Sequence, residues 1–67
     1  MKGFIEVPVK RGSVADDALI NVSTIAIVRP TNEDNVTHIY FTDSNFVGQV
    51  ILLPYEKVRS LMAEALK

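Results

Sequence analysis

Apolar and polar positions alternate with a period of two near the start of the chain. From Lys2 to Lys10, Ile5, Val7 and Val9 point one way and Glu6, Pro8 and Lys10 the other, the pattern of a strand with one wet face. Pro8 has no N–H to give a ladder, so the pattern predicts an edge strand or a bend at Pro8. Arg11 to Asp17 carries Gly12, Ser13 and two acids and reads as a loop. Leu19–Val22 and Ile25–Val28 are β-branched apolar runs around Ser23-Thr24. They predict one bent strand or two, placed centrally and covered on both faces. Pro30 ends this stretch, and Thr31 to Asn35 is a polar turn. Alternation returns from Val36 to Thr42, with Ile39 and Phe41 on one face and His38, Tyr40 and Thr42 on the other. Asp43-Ser44-Asn45 is a turn short enough for a hairpin. Phe46 to Leu53 follows, apolar on both faces, with Gly48 marking a bulge or sharp bend.

The period changes after Pro54. Val58, Leu61, Met62, Ala65 and Leu66 follow helical spacing and form one apolar stripe, with Glu56, Lys57, Arg59 and Glu64 off it. Pro54 suits the first turn of such a helix, expected over 54–66. The expected fold is therefore mainly β: one domain over 1–67, a small, strongly bent four- or five-stranded sheet or open barrel with one C-terminal helix.

Composition sharpens this picture. Sixty-seven residues, 48% of them hydrophobic, carry much apolar surface for a core that contributes only about 3–5 kcal/mol. Self-association would bury the surplus, so a homo-oligomer is expected. The chain has no Cys and one His, which excludes disulfides and thiolate or His-rich metal sites and implies neither metal nor cofactor. A net charge of −1 excludes a general basic field for nucleic acid, though not a local patch. The N-terminal segment lacks the apolar region of a signal peptide. No unbroken apolar run is longer than Val50 to Leu53, which is far too short to span a membrane. The expectation is a soluble, cytoplasmic protein.

Candidate chemistry is sparse. Asp16-Asp17 is an acidic pair that would bind a cation or serve acid–base work only if held in a cleft; as it stands, it reads as a solvated loop. Glu33-Asp34 lacks the spacing and Gly of a calcium loop. His38 has no nucleophile motif beside it. An enzyme is not expected. Lys10 and Arg11 precede Gly12 and, with Lys2, would form a small basic rim able to meet phosphate. Among the aromatics, Phe41 and Phe46 read as core, and Tyr40 is the ring placed outside, where a base could stack.

Two family resemblances accompany this reading. Asp17-Ala18-Leu19-Ile20-Asn21-Val22 resembles the Asp-x-x-hydrophobic-Asn-hydrophobic signature of the first motif of Sm/LSm-like RNA-binding proteins. Phe46-Val47-Gly48-Gln49-Val50-Ile51-Leu52 is similar to the second, although Val47 stands where that family usually carries Arg. The resemblance implies a bent five-stranded barrel assembling into rings, with RNA contacts at Asn21 and Gly48 supported by Asp17. Leu19 to Ile25 and Tyr55-Glu56-Lys57-Val58 look like the small flagellar and swarming-motility proteins of the FlbD type, which implies a protein-interaction adaptor without nucleic acid. The combined expectation is a non-catalytic homo-oligomeric binding or assembly module. RNA is a candidate partner, met by Asn21, Gly48, Asp17, Tyr40, Lys10 and Arg11. A protein partner is the alternative.

Overall fold

The computed structural model describes residues 2–43 and 48–67. Among the described residues five antiparallel strands form one open sheet, followed by one helix: β1 (Phe4–Arg11), β2 (Val14–Asn21), β3 (Ile25–Pro30), β4 (Thr37–Phe41), β5 (Gln49–Ile51) and α1 (Tyr55–Ala65). The strand order is β2-β1-β5-β4-β3. Chain neighbours therefore pair throughout, except at one seam between β2 and β3, and β5 joins the first hairpin to the second. The mainly β fold with a C-terminal helix agrees with the hydrophobic pattern; the sheet is bent but not closed.

The first hairpin departs from expectation. Arg11 to Asp17 is not a loop: Arg11 lies opposite Val14, and β2 pairs with β1 without interruption up to Phe4 opposite Asn21. Only Gly12 and Ser13 turn the chain. Gly12 has φ +61°, the positive value that the first central position of this tight turn requires and that Gly adopts without strain. Nor is Pro8 on an edge strand, since β1 lies between β2 and β5. The Pro8 carbonyl accepts from the Leu52 N–H at 2.9 Å, so its proton-free nitrogen faces β5. That neighbour is only three residues long, and the ladder loses little there.

A larger correction concerns Leu19–Val22 and Ile25–Val28. They are two strands joined by a single 3-10 turn, Val22–Thr24, but they form the two edges of the sheet rather than its centre. Leu19 is 54% exposed and Ile27 45%. In β3 a register shift between Ile25 and Ile27 makes Ala26 an extra residue. This β-bulge turns both Ile25 and Val28 inward against the core and leaves Ile27 outside. Apolar residues on both faces thus signalled a bulge, not burial on two sides.

The core gathers Ile5, Val7 and Val9 of β1, Ile20, Val22, Ile39 and Ile51, with Val58 and Ala65 of the helix. Thr37 is fully buried among them. Its hydroxyl donates to the Leu53 carbonyl at 2.8 Å and so anchors the segment that leads into α1. Pro54 is the helix N-cap, and Glu56 occupies the first turn. At the other end the Gly3 N–H donates to the Ala65 carbonyl at 2.8 Å, satisfying an acceptor that a helix end leaves open. Val58, Leu61, Met62 and Ala65 pack as the stripe predicts. Leu66 does not: it lies past the last helical residue and is 67% exposed.

β4 and β5 pair with Ile39 opposite Gln49 and Thr37 opposite Ile51, so the pairing expected across the Asp43–Asn45 turn forms. Its expected turn residues Ser44 and Asn45, and Phe46 and Val47 at the start of the expected last strand, lie outside the described residues. Leu52 and Leu53 follow β5 rather than extend it. Gly48 precedes β5 rather than sitting within it.

Candidate functional site

The sheet has an inner and an outer face, and the candidate residues divide between them. Residues opposite one another across an antiparallel pair share a face. Arg11 is opposite Val14 and Asp16 is opposite Val9, so Arg11 and Asp16 point inward, where the guanidinium and carboxylate meet at 3.1 Å. Lys10 points outward. The basic rim expected from adjacent Lys10 and Arg11 is therefore split, and Arg11 is already partnered.

Asp16 and Asp17 are divided in the same way. Asp17, opposite Pro8, faces outward, as does His38 on β4. The strand order puts three strand spacings of about 4.8 Å each between β2 and β4. An acid–base pair of either Asp with His38 does not assemble. Among the described residues no group of three or more His, Cys, Asp or Glu side chains is placed to hold a metal ion.

Asn21 ends β2 and caps the turn that follows. Its Oδ1 accepts from the Ser23 N–H at 3.0 Å and from the Ser23 hydroxyl at 2.9 Å, and its carbonyl accepts from the Thr24 hydroxyl at 2.7 Å. This is the local capping chemistry that Asn offers. The sequence singled out Asn21 for a ligand; the structure gives its carbonyl-type oxygens to the chain itself and leaves Nδ2 as a donor.

Tyr40 and Gly48 come together on the outer face, which Lys10 shares. The Tyr40 ring, 39% exposed, lies over Gly48 so closely that a Cβ there would sit 2.9 Å from Cδ1 and Cε1 of the ring and 3.1 Å from the Ile39 carbonyl. Gly48 is thus needed for close approach rather than for a special backbone angle. His38 stands edge-on to Tyr40, with centroids 6.4 Å apart. Arg29 is opposite His38 on the β3 side and Val50 on the β5 side. An open depression of about 370 Å³ continues past His38 and Val50 to Lys10 and Glu33. Sequence reasoning named Tyr40, Gly48 and Lys10 and put His38 on the Tyr40 face, but missed Arg29 as their neighbour. The signal was available: a hairpin folded about the Thr31–Asn35 turn sets Arg29 across from His38.

On the inner side, α1 covers one end of the core and leaves the other open. There the described residues lining a cavity of about 490 Å³ include Val9, Ala18, Ile20, Phe41 and Gln49, with Arg11 at its rim. The two edges beside this mouth carry the exposed Leu19 and Ile27, and Val14, 56% exposed, lies at the hairpin tip.

No protein-family description matches the chain, no curated protein matches its sequence, and no solved structure matches its fold. The class defined here is an open five-stranded antiparallel sheet with one lid helix. No helix among the described residues is long and apolar enough to cross a membrane.

Proposed function

We propose that this chain is a non-catalytic binding or assembly module that works in the cytoplasm as a homo-oligomer. One observation carries the reading: the sheet is left open, so that an apolar mouth and two strand edges bearing Leu19 and Ile27 face solvent. Unpaired edges with apolar side chains favour pairing with another chain, and contiguous exposed apolar surface marks interaction sites. Light scattering at micromolar concentration tests it. A mass at least twice 7.4 kDa is expected; a monomer overturns it.

The outer face favours a second reading, in which the bound partner is single-stranded RNA. Two rings with Lys10 and Arg29 to either side supply the pairing of stacking surface and positive charge that such binding uses. This differs from the Asn21–Gly48 site implied by the Sm/LSm resemblance, since Asn21 stands apart on β2. The test is filter binding of short U-rich and A-rich RNAs at low and moderate salt. Tyr40→Ala should weaken binding by about 1–3 kcal/mol, the usual worth of one stacked base. Absence of binding at both salts favours the protein-interaction adaptor instead.

A further inference from the structure

The two edges of the sheet are not equivalent. β3 is interrupted by the Ala26 bulge and ends in Pro30, two devices that blunt an edge. β2 has neither. It runs eight residues without Gly or Pro and pairs with β1 without a break in register. A straight, bulge-free edge is the regular template on which another strand adds.

Its outward-facing hydrogen-bonding groups are known from the chain's own ladder. The Pro8 carbonyl is turned to β5 by its bond from Leu52, and the Gly3 carbonyl accepts from the Val22 N–H at 2.9 Å. Pro8–Asp17 and Phe4–Asn21 are then non-hydrogen-bonded pairs. The N–H and C=O groups of Asp17 point away from β1, as by the period of two do those of Ala15, Leu19 and Asn21. These are the groups a second strand would meet.

We infer that the occupant of this edge is β2 of a second copy, paired antiparallel about a two-fold axis centred on Leu19. A two-fold axis normal to the sheet keeps each face on its own side, so the residue at the centre meets itself. A centre on a residue whose backbone points inward is also geometrically allowed, but Ala18 there sets Asp16 and Asp17 against Ile20 and Leu19, and Ile20 there sets Leu19 against Asn21. Centring on Asp17 stacks two carboxylates directly across the pair, which is unfavourable. Centring on Leu19 sets this exposed side chain against its twin. It places Ala18 across from Ile20 on the inner face, beside both apolar mouths, and Asp17 across from Asn21. The Asn21 Nδ2, left as a donor by the Ser23 cap, then faces a carboxylate. From Asp17 to Asn21 each cross-pair is apolar on apolar or acid on amide; beyond them Asp16 falls opposite Val22. This rests on the self-association reading and gives it a surface, a symmetry and a register.

The chain contains no Cys, so single cysteines report the register without background. In the Leu19-centred pair the two Leu19 Cα atoms are about 5.5 Å apart, within the range a disulfide spans. The two Asp17 positions are displaced by about 14 Å along the strands. Leu19→Cys should give a covalent dimer under mild oxidation and Asp17→Cys should not. Leu19→Lys, at a solvent-facing site, should keep the native circular dichroism and lower the mass to that of a monomer. Faster cross-linking of Asp17→Cys than of Leu19→Cys overturns the register. An oligomer that persists in Leu19→Lys, with no Leu19→Cys cross-link, overturns the β2 interface while the self-association reading stands. A wild-type monomer removes both.

Discussion

β1 and β2 are strands of equal length in one hairpin, matched residue for residue, and they fare oppositely. β1 buries Ile5, Val7 and Val9. β2 buries only Ile20 and leaves Leu19 and Val14 in solvent. Neither length nor apolar content separates them. β1 has neighbours on both sides, and its inward residues lie over the middle of the core, under α1 and beside β5. Among the described residues β2 has a neighbour on one side only, and its first half runs beyond the core. A strand's own pattern tells which residues share a face; the strands beside it decide whether that face is covered.

The most severe way to break this contrast is to remove volume from the covered half. Ile39 and Ile51 are fully buried, on the two strands that bring the hairpins together. Ile39→Ala should cost about 2–5 kcal/mol through lost burial and the cavity left behind. That is comparable to the whole stability expected of so small a core, about 3–5 kcal/mol. The variant should be largely unfolded at 25 °C by circular dichroism. Leu19→Ala on the open edge is the counterpart and should change monomer stability by no more than about 0.5 kcal/mol, measured by urea titration at low protein concentration. Equal losses at the two sites would mean that β2 is covered in the monomer after all.

Close packing on the outer face is the next test. Gly48→Ala pushes a methyl group into the Tyr40 ring and against the Ile39 carbonyl. An overpacked site of this kind typically loses about 1–3 kcal/mol. Tyr40→Ala should recover part of that loss when combined with Gly48→Ala, because the ring is the nearer obstacle. A double-mutant cycle read by urea denaturation gives the coupling. Purely additive effects would show that the ring does not lie over Gly48.

Asn21 lies where β2 leaves its partner strand. Asn21→Ala removes the acceptor of two Ser23 bonds and should cost about 0.5–2 kcal/mol, as loss of a cap does, while Asn21→Asp keeps the acceptor and should cost less. Thermal unfolding of the two variants separates a capping role from a purely steric one.

How much of this was legible beforehand follows from the same contrast. Alternation in Ile5-Val7-Val9 and in Ile39-Phe41, and the helical stripe from Val58 to Ala65, read correctly because each lies over the core, where burial and pattern coincide. Gly12-Ser13 was a two-residue hairpin signal hidden among acids: Asp16 and Asp17 look like loop residues, yet an edge strand running past the core accepts them. Leu19 and Ile27 were misplaced because apolar residues on both sides of a strand suggest double burial, whereas here one run is an edge and the other hides a bulge. Of the candidate site, Tyr40, Gly48 and Lys10 share a face, as period-two alternation allows. Arg11 parted from Lys10 by the same alternation, and Asn21 was claimed by its own turn, which depends on the backbone path after β2.

The smallest expected effect lies at the hairpin tip, where β1 and β2 are most alike in exposure. Arg11 and Asp16 meet at 3.1 Å, with side chains 73% and 46% exposed. A pair so open to water is worth at most about 1 kcal/mol and is weakened by salt. Asp16→Asn keeps the size of the side chain and removes only its charge. It should lower stability by about 0.2–1 kcal/mol in dilute buffer, and the difference from wild type should shrink when urea titrations are repeated at 1 M NaCl, where the Debye length is about 3 Å. Loss of the whole fold in Asp16→Asn would place this end of β2 within the core and erase the distinction between the two strands. A small, salt-sensitive loss fits a hairpin whose tip extends past the interior, joined by charge where the apolar contacts of β1 have run out.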